Sequence, residues 1–209
     1  PQSIIVLGGG AVALEVAQFF ARFDVEVTLL QRSPHLLKAF DDDVAGEVEA
    51  AFREEGITVR TGCSLTDARQ DANEKVIVYE RGGEQHEVRA EAVFHGLGRS
   101  PNTGSLAVEN GGVETERGRI LCDTHMRTST PHIYAGGDCT GPHEIVHIAI
   151  QQGEVAAHNI LHPGSLRSMD YRMLISVVFT DPQSATVGHT EKTAKAQGIP
   201  YLTASYPFN

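Results

Sequence analysis

The sequence predicts an α/β protein built around a parallel β-sheet, and two observations support this fold class. The apolar run "SIIVLGGG" ends in a glycine cluster, and "AVALEVAQFFARF" follows it with apolar residues at helical spacing. A second apolar run, "VEVTLL", completes a strand–turn–helix–strand unit, which implies parallel pairing through a crossover. A helix over 41–55 and the strand "ITVRTG" continue the same alternation.

The pattern of the sequence changes after residue 65. The stretch "KVIVYERGGEQHEV" alternates in polarity and predicts an antiparallel hairpin that turns on Gly82-Gly83. Three further strands, "AEAVFHGLG", "RILCD" and "HIYAGG", precede a helix that we expect to open at Pro142 and to end near Leu161. The strands "MLISVVFTD", "SATVG" and "YLTASY", with a short helix over 191–197, predict a final segment of the α+β type.

Composition limits the classes of function. The 209 residues are 41% hydrophobic and 21% charged, the balance of ordinary globular proteins, and the net charge of −10 argues against nucleic acid as a partner. No apolar stretch approaches the length of a bilayer span, and no basic amphipathic or signal-peptide pattern is seen, so we expect no membrane association. Three scattered cysteines (Cys63, Cys122 and Cys139) do not form a disulfide framework, and the cytoplasm is the expected compartment.

The glycine cluster after the first strand matches the fingerprint of a dinucleotide-binding turn and predicts a Rossmann-like three-layer domain. Gly8 permits the tight turn, Gly10 lets the backbone approach a pyrophosphate, and the small Ala13 permits close packing of helix on strand. The helix N-terminus offers N–H groups to the anion. The alternative is a glycine-rich turn that binds no ligand.

The end of the second strand bears on which nucleotide would bind. An NAD site places an acid there, to accept a hydrogen bond from the ribose 2′-hydroxyl. This sequence has Gln31 and Arg32, with Lys38 a turn further on. Two cations suit a 2′-phosphate, so we expect NADP, with NAD possible because a glutamine can serve either ribose. The alternative is that both cations are solvated surface charges.

Three stretches resemble segments of the class I pyridine nucleotide-disulfide oxidoreductases. "GLGRSPNT" is similar to the segment that closes their nucleotide domain, "TSTPHIYAGGDCT" to their second flavin motif, and "VVFTDPQSATVGHTE" to the opening of their dimerisation domain. Together with "GGGAVALE" and "RSPHLLKAFD", they occur in the family's order and cover nearly the whole chain. The resemblance is greatest to the mercuric reductase and dihydrolipoamide dehydrogenase branches.

The resemblance implies a set of cofactor contacts. It places Glu15 near the nicotinamide and Gly98, with Arg99 after it, where the backbone passes the same cofactor. In the Gly137-Asp138 motif, the aspartate would hydrogen-bond the ribitol chain of FAD, and the following helix would present its N-terminus to the flavin with a backbone contact from Val146. A simple helix cap is the alternative role for Asp138.

The resemblance also implies a division into parts. We expect an NAD(P)H-binding domain over 1–117, the C-terminal half of an FAD-binding domain over 118–166, and the start of an interface domain over 167–209. The family's redox disulfide would precede Pro1 and its catalytic His-Glu pair would follow Asn209, so that the chain is an internal fragment with no catalytic residue of its own.

The implied whole protein is a homodimeric flavoenzyme that moves hydride from NADPH through FAD to a small-molecule disulfide or a mercuric ion. Two alternatives remain open at this point. One is a nucleotide-binding or dimerisation module without a redox centre. The other is a flavin reductase that passes electrons to peroxide, oxygen or a quinone, in the manner of NADH oxidases and peroxidases.

One motif points elsewhere. "GPHEIVHIAI" contains His143, Glu144 and His147 in the spacing of a zinc-protease helix, where residues four apart place two imidazoles on one face. The extended metzincin pattern would need a glycine at position 150, which is isoleucine. We therefore interpret the pentapeptide as a coincidence and predict no metal site.

Overall fold

The computed structural model describes residues 1–206. The strands in this range are β1 (Ser3–Leu7), β2 (Glu26–Leu30), β3 (Thr58–Arg60), β4 (Ser64–Asp71), β5 (Glu74–Arg81), β6 (Glu84–Ala90), β7 (Ala92–His95), β8 (Thr115–Glu116), β9 (Arg119–Ile120), β10 (Ile175–Val178) and β11 (Ser184–Val187). The α-helices are α1 (Ala11–Ala21), α2 (Asp42–Glu54), α3 (Val146–Leu161) and α4 (Glu191–Ala196).

The predicted parallel sheet is present, with the strand order β3-β2-β1-β7. All three pairings in it are parallel, and β1 lies between β2 and β7. The strand order therefore reverses beside β1, and in open α/β sheets the crevice at such a point, outside the carboxyl ends of the strands, is where ligands bind.

Two apolar clusters cover the two faces of this sheet and make a three-layer structure. On one face, Leu14 and Ala17 of α1 pack with Val48 and Phe52 of α2 over the inner strands. On the other face, the antiparallel sheet β4-β5-β6 contributes Ile77, Tyr79 and Ala90 to a cluster with Ile5 and Leu30. The predicted hairpin at Gly82-Gly83 is the β5–β6 turn.

The chain forms two compact units, residues 1–98 with the segment that starts at Leu174, and residues 99–173. In the first unit, the buried amide of Gln18 on α1 donates to the Asp181 carbonyl (2.8 Å) and accepts from the Asp181 N–H (2.8 Å). The carboxylate of Asp41 caps α4 by accepting from the N–H groups of Glu191 and Lys192. These bonds attach the C-terminal segment to the helices of the parallel sheet. The predicted functional boundaries at 117 and 166 stay predictions.

Several element boundaries differ from the predicted ones. The helix expected to open at Pro142 begins at Val146, and Ile145 before it is extended. The carbonyl of Glu144 accepts a hydrogen bond from Arg99 (3.2 Å), and the helical hydrogen bonds start one residue later, where the Ile145 carbonyl accepts from the Ala149 N–H (3.0 Å). "HIYAGG" forms only an isolated bridge between Arg127 and Tyr134, and no strand forms over 201–206.

Within residues 1–206, none of the helices combines the length and the hydropathy that a bilayer crossing requires.

Candidate functional site

A cleft of about 730 Å³ lies at the carboxyl ends of the parallel strands, and we call it the glycine-turn cleft. Its volume is within the range of small-molecule and cofactor sites. The lining residues come from the end of β2, the turns after β1, β2, β3 and β7, and the start of β4: Gly8, Gly9, Gly10, Leu30, Gln31, Arg32, Ser33, Lys38, Cys63, Ser64, Leu65, Gly96, Leu97 and Gly98. The predicted residues Gly8, Gly10, Gln31, Arg32, Lys38 and Gly98 are thus brought together.

The two predicted glycines of the turn have different structural reasons. Gly8 has φ +116°, and a Cβ on it would lie 2.4 Å from the carbonyl oxygen of Gly96, so no other residue fits there. Gly10 has φ −89°, and a Cβ on it would meet no atom within 4 Å. Gly8 is therefore required by the fold, whereas the space beside Gly10 is open for a ligand to approach the backbone.

Ala13 holds the first turn of α1 close to the sheet. The Cβ of Ala13 lies 2.8 Å from the position that a Cβ on Gly96 would take, and Ala13 itself is buried. Two small residues therefore face each other between α1 and the end of β7. The N-terminus of α1 follows Gly10 without a side-chain cap, so its first N–H groups are available to an anion.

Gln31 joins the glycine turn to the cationic side of the cleft. Its side chain lies over Gly9, 2.9 Å from where a Cβ on that glycine would be. Its Oε1 accepts a hydrogen bond from the Arg32 N–H (3.0 Å). The glutamine thereby fixes the start of the segment that carries the two cations.

Arg32 and Lys38 are exposed on the wall of this cleft. Neither side chain makes a hydrogen bond or an ion pair with any residue in the range 1–206. The cleft lining within the same range contains no carboxylate. Two unpaired cations in a cleft free of acids favour an anionic ligand.

Glu15 contacts the C-terminal segment and not the glycine-turn cleft. Its Oε1 accepts a hydrogen bond from the Phe179 N–H (2.9 Å), and Glu15 is not among the residues that line the glycine-turn cleft. This carboxylate links α1 to the end of β10, one helical turn before Gln18 makes its bonds to Asp181. A role near a nicotinamide stays a prediction.

The second site lies in the other compact unit, and we call residues 136–141 the Gly-Asp turn. Gly137 has φ +82°, and its N–H donates to Oε1 of Gln152 on α3 (2.6 Å). Its carbonyl accepts from both the N–H (3.0 Å) and the hydroxyl (2.8 Å) of Thr140. The peptide before and the peptide after Gly137 are both held, and Asp138 follows on this fixed backbone.

Charges at the Gly-Asp turn are paired. Arg99 reaches Oδ2 of Asp138 through Nη2 (3.1 Å) and Oε2 of Glu144 through Nε (2.9 Å). Glu144, with 23% of its side chain exposed, also lies 3.9 Å from Nη2 of Arg119. Arg99 therefore bridges two carboxylates and ties the Gly-Asp turn to the segment before α3.

These residues fit part of a flavin site. Asp138 is 54% exposed, and its Oδ1 makes no hydrogen bond within residues 1–206, which leaves an acceptor for a hydroxyl of a ribitol chain. The N-terminus of α3 has no side-chain cap, and Val146, its first residue, is exposed. A free carboxylate oxygen and an uncapped helix N-terminus are the polar groups that the second flavin motif would supply.

The His-Glu-x-x-His motif is divided by the start of α3. His147 lies on the helix, whereas His143 precedes it and its ring contacts the ring of Tyr171, with centroids 5.0 Å apart. Glu144 is engaged by Arg99. The side chains of His143 and Glu144 are therefore engaged by residues of this unit, whereas His147 is exposed on α3. Burial lowers the pKa of His143.

Sequence reasoning missed several residues of the glycine-turn cleft. Ser33, Cys63, Ser64, Gly96 and Leu97 line the glycine-turn cleft. Their positions at or shortly after the ends of the predicted strands were the available signal, because the carboxyl ends of parallel strands meet at one edge of the sheet. Burial raises the pKa of the Cys63 thiol, which therefore does not have the character of a reactive thiolate.

The fold and the cleft define an α/β protein with a dinucleotide-binding architecture. The similarity of the chain to known proteins agrees with this class and identifies the family within it. Residues 1–153 match the family described as pyridine nucleotide-disulphide oxidoreductase, and residues 174–209 match the dimerisation domain of the same family. The chain belongs to the pyridine nucleotide-disulphide oxidoreductase family, whose members are oxidoreductases that use FAD and NAD(P)H.

The relatives have longer chains. The chain is 35% identical, over its full length, to a mercuric reductase of Staphylococcus aureus and to a dihydrolipoyl dehydrogenase of Geobacillus stearothermophilus. It spans 38% and 44% of their lengths. Among solved structures, LpdA from Mycobacterium tuberculosis matches 94% of the chain with a TM-score of 0.84 and 26% identity, and the chain covers 42% of it. The HOCl-induced flavoprotein disulfide reductase RclA from Escherichia coli matches 95% with a TM-score of 0.82 and 29% identity, with 44% of RclA covered.

Proposed function

We propose that the chain supplies the nucleotide-binding cleft and half of the flavin site of a longer FAD-dependent oxidoreductase, which takes hydride from NADPH and reduces a disulfide or a mercuric ion. The relatives are named mercuric reductase and dihydrolipoyl dehydrogenase, and each is more than twice as long as the part that matches. When bound, FAD accepts the hydride and passes the electrons on. The residues of this chain bind and orient the two cofactors.

The preference for NADPH over NADH rests on the unpaired cations of the glycine-turn cleft. Arg32 presents a planar guanidinium and Lys38 a mobile ammonium, and both are available because no acid neutralises them within the described residues. A 2′-phosphate is a dianion that accepts charge-assisted hydrogen bonds from such groups. Gln31 offers no negative charge to repel it. We assign the adenosine end of NADPH to this side and the pyrophosphate to Gly10 and the N-terminus of α1.

At the Gly-Asp turn, we assign Asp138 to the ribitol chain of FAD and the N-terminus of α3, at Val146, to the flavin ring. The family resemblance indicates three further cofactor residues, Glu15, Gly98 and Arg99.

We place the functional boundaries of the chain at residues 117 and 166. We also propose that the protein is cytoplasmic and that it forms a homodimer through the segment from residue 167. Light scattering of the full-length protein tests the dimer, since a monomer at micromolar concentration would contradict it.

Nucleotide titration tests the cofactor choice. For Arg32→Glu we expect NADPH to bind about 10- to 100-fold more weakly, because one or two charge-assisted hydrogen bonds are lost and a carboxylate faces the 2′-phosphate. The Kd for NADH should change less than threefold. Calorimetric titration of the 209-residue chain with both nucleotides measures this difference.

Arg117→Glu is the matched control, since Arg117 is exposed, makes no ion pair within residues 1–206 and does not line the cleft. It alters the net charge by the same amount, so it should leave both affinities unchanged. Equal weakening of NADPH and NADH by Arg32→Glu would contradict the assignment of Arg32 to the 2′-phosphate.

A further inference from the structure

Gln152 is a buried polar side chain in the middle of α3 that the cofactor assignments leave without a role. Its exposed fraction is 1%, and a buried amide is stable only when its donor and acceptor atoms are satisfied. Oε1 accepts from the Gly137 N–H (2.6 Å), and Nε2 donates to the hydroxyl of Tyr171 (2.9 Å). Both ends of the amide are therefore committed.

The orientation of this amide is determined by its partner in the Gly-Asp turn. The Gly137 N–H can only donate, so a flipped amide would oppose two donors. The backbone also lies close to α3, because a Cβ on Gly136 would be 3.2 Å from the Cβ of Gln152. The contact fixes the peptide that enters Gly137, whose positive φ directs the chain into Asp138.

We propose that Gln152 is a positioning residue for the flavin, acting through the Gly137 N–H to hold the Asp138 carboxylate where it meets the ribitol chain. The proposal rests on the flavin function proposed above. Arg99 holds one oxygen of the carboxylate, and Gln152 holds the backbone from which that carboxylate projects. Gln152 makes its contribution from 15 residues away along the chain and need not touch the cofactor itself.

The variants follow from the hydrogen-bonding capacity of each side chain. Methionine at position 152 has nearly the same volume but no strong acceptor, so the half-buried Gly137 N–H would lose its partner. Glutamate keeps an acceptor for Gly137 and can pair with the Tyr171 hydroxyl in either protonation state. Gln151→Met is the matched control, because Gln151 is the exposed neighbour on the same helix. Asp138→Ala, which removes both acceptor oxygens, tests the flavin role of the aspartate separately.

The experiment is a titration of the deflavinated full-length protein with FAD, followed by flavin fluorescence, together with urea unfolding of each apoprotein. For Gln152→Met we expect the FAD Kd to rise tenfold or more in protein that is still folded. Gln152→Glu should restore the Kd to within threefold of the original, and Gln151→Met should leave it unchanged. If Gln152→Met does not fold, Gln152→Asn, whose acceptor is withdrawn by one methylene, should give an intermediate rise.

The outcomes separate the two proposals. An Asp138→Ala variant that binds FAD normally would contradict the flavin role of Asp138 and with it the proposed function of this turn. If Asp138→Ala weakens FAD binding but Gln152→Met only lowers the stability of the apoprotein, Gln152 is a structural residue and the inference is overturned. A rise in Kd for Gln152→Met that glutamate does not reverse would also overturn it.

Discussion

The glycine-turn cleft and the Gly-Asp turn use charge in opposite ways. In the cleft, Arg32 and Lys38 make no ion pair within residues 1–206, and no acid lines the wall in that range. At the Gly-Asp turn, Arg99 is bonded to both Asp138 and Glu144. Unpaired cations are available to an anion from outside, whereas paired charges fix the geometry of the protein itself. In the function proposed above, the cleft receives phosphate and the turn holds one carboxylate in place.

The largest expected effect is a difference in stability between alanine substitutions at Gly8 and at Gly10. We expect Gly8→Ala to lower the free energy of unfolding by about 2–5 kcal/mol, because the new Cβ meets the Gly96 carbonyl at 2.4 Å on a residue with φ +116°. Gly10→Ala should cost less than about 1 kcal/mol, since its φ suits alanine and the space is open. Urea denaturation of both variants measures these costs.

The same pair distinguishes fold from binding. Gly10→Ala should weaken NADPH about tenfold or more, because the methyl group occupies the space through which a pyrophosphate approaches the backbone. If Gly10→Ala bound NADPH normally, the pyrophosphate would not lie at Gly10. If it were as unstable as Gly8→Ala, the distinction between the two glycines would be wrong.

Removal of a cation tests the charge comparison directly. Arg99→Met should lower the free energy of unfolding by about 1 kcal/mol, since it releases two carboxylates that are partly exposed and screened by water. Arg32→Met should change it by less than about 0.5 kcal/mol, because Arg32 makes no ion pair in the described range. Chemical denaturation of each variant is the measurement. An equal loss of unfolding free energy in the two variants would contradict the distinction between the paired Arg99 and the unpaired Arg32.

The smallest effect concerns pH. Burial lowers the pKa of His143 below its ordinary value of 6.5, so the unfolded chain binds this proton more readily than the folded chain. Stability should therefore fall as the pH drops below 6.5, and His143→Gln should reduce that slope. Thermal unfolding between about pH 7.5 and 5 measures it. The control is His132→Gln, at an exposed histidine, which should keep the pH dependence of stability seen in the original chain. If His143→Gln also kept that pH dependence, His143 would not be its source.

The sequence by itself determined the parts of the molecule that depend on local backbone rules. The glycine spacing after β1 predicted both the turn and the start of α1, because a positive φ and a close backbone approach are possible only for particular small residues. Apolar periodicity predicted β1, α1 and β2, and the Gly82-Gly83 pair predicted the β5–β6 hairpin. The residues Arg32 and Lys38 were found because they follow a predicted strand.

Only the tertiary structure decided which partners the polar side chains take. The sequence predicted that α3 starts at Pro142, but the helix starts at Val146. Arg99 bonds both the side chain and the carbonyl of Glu144, 45 residues away along the chain. Nothing in the sequence distinguished Gln152 from other glutamines of the helix, because its burial and its hydrogen bond to Gly137 depend on the packing of α3 against the Gly-Asp turn. Local propensity carries no information on such contacts, because they form between segments that are distant in the chain and adjacent only after the core has packed.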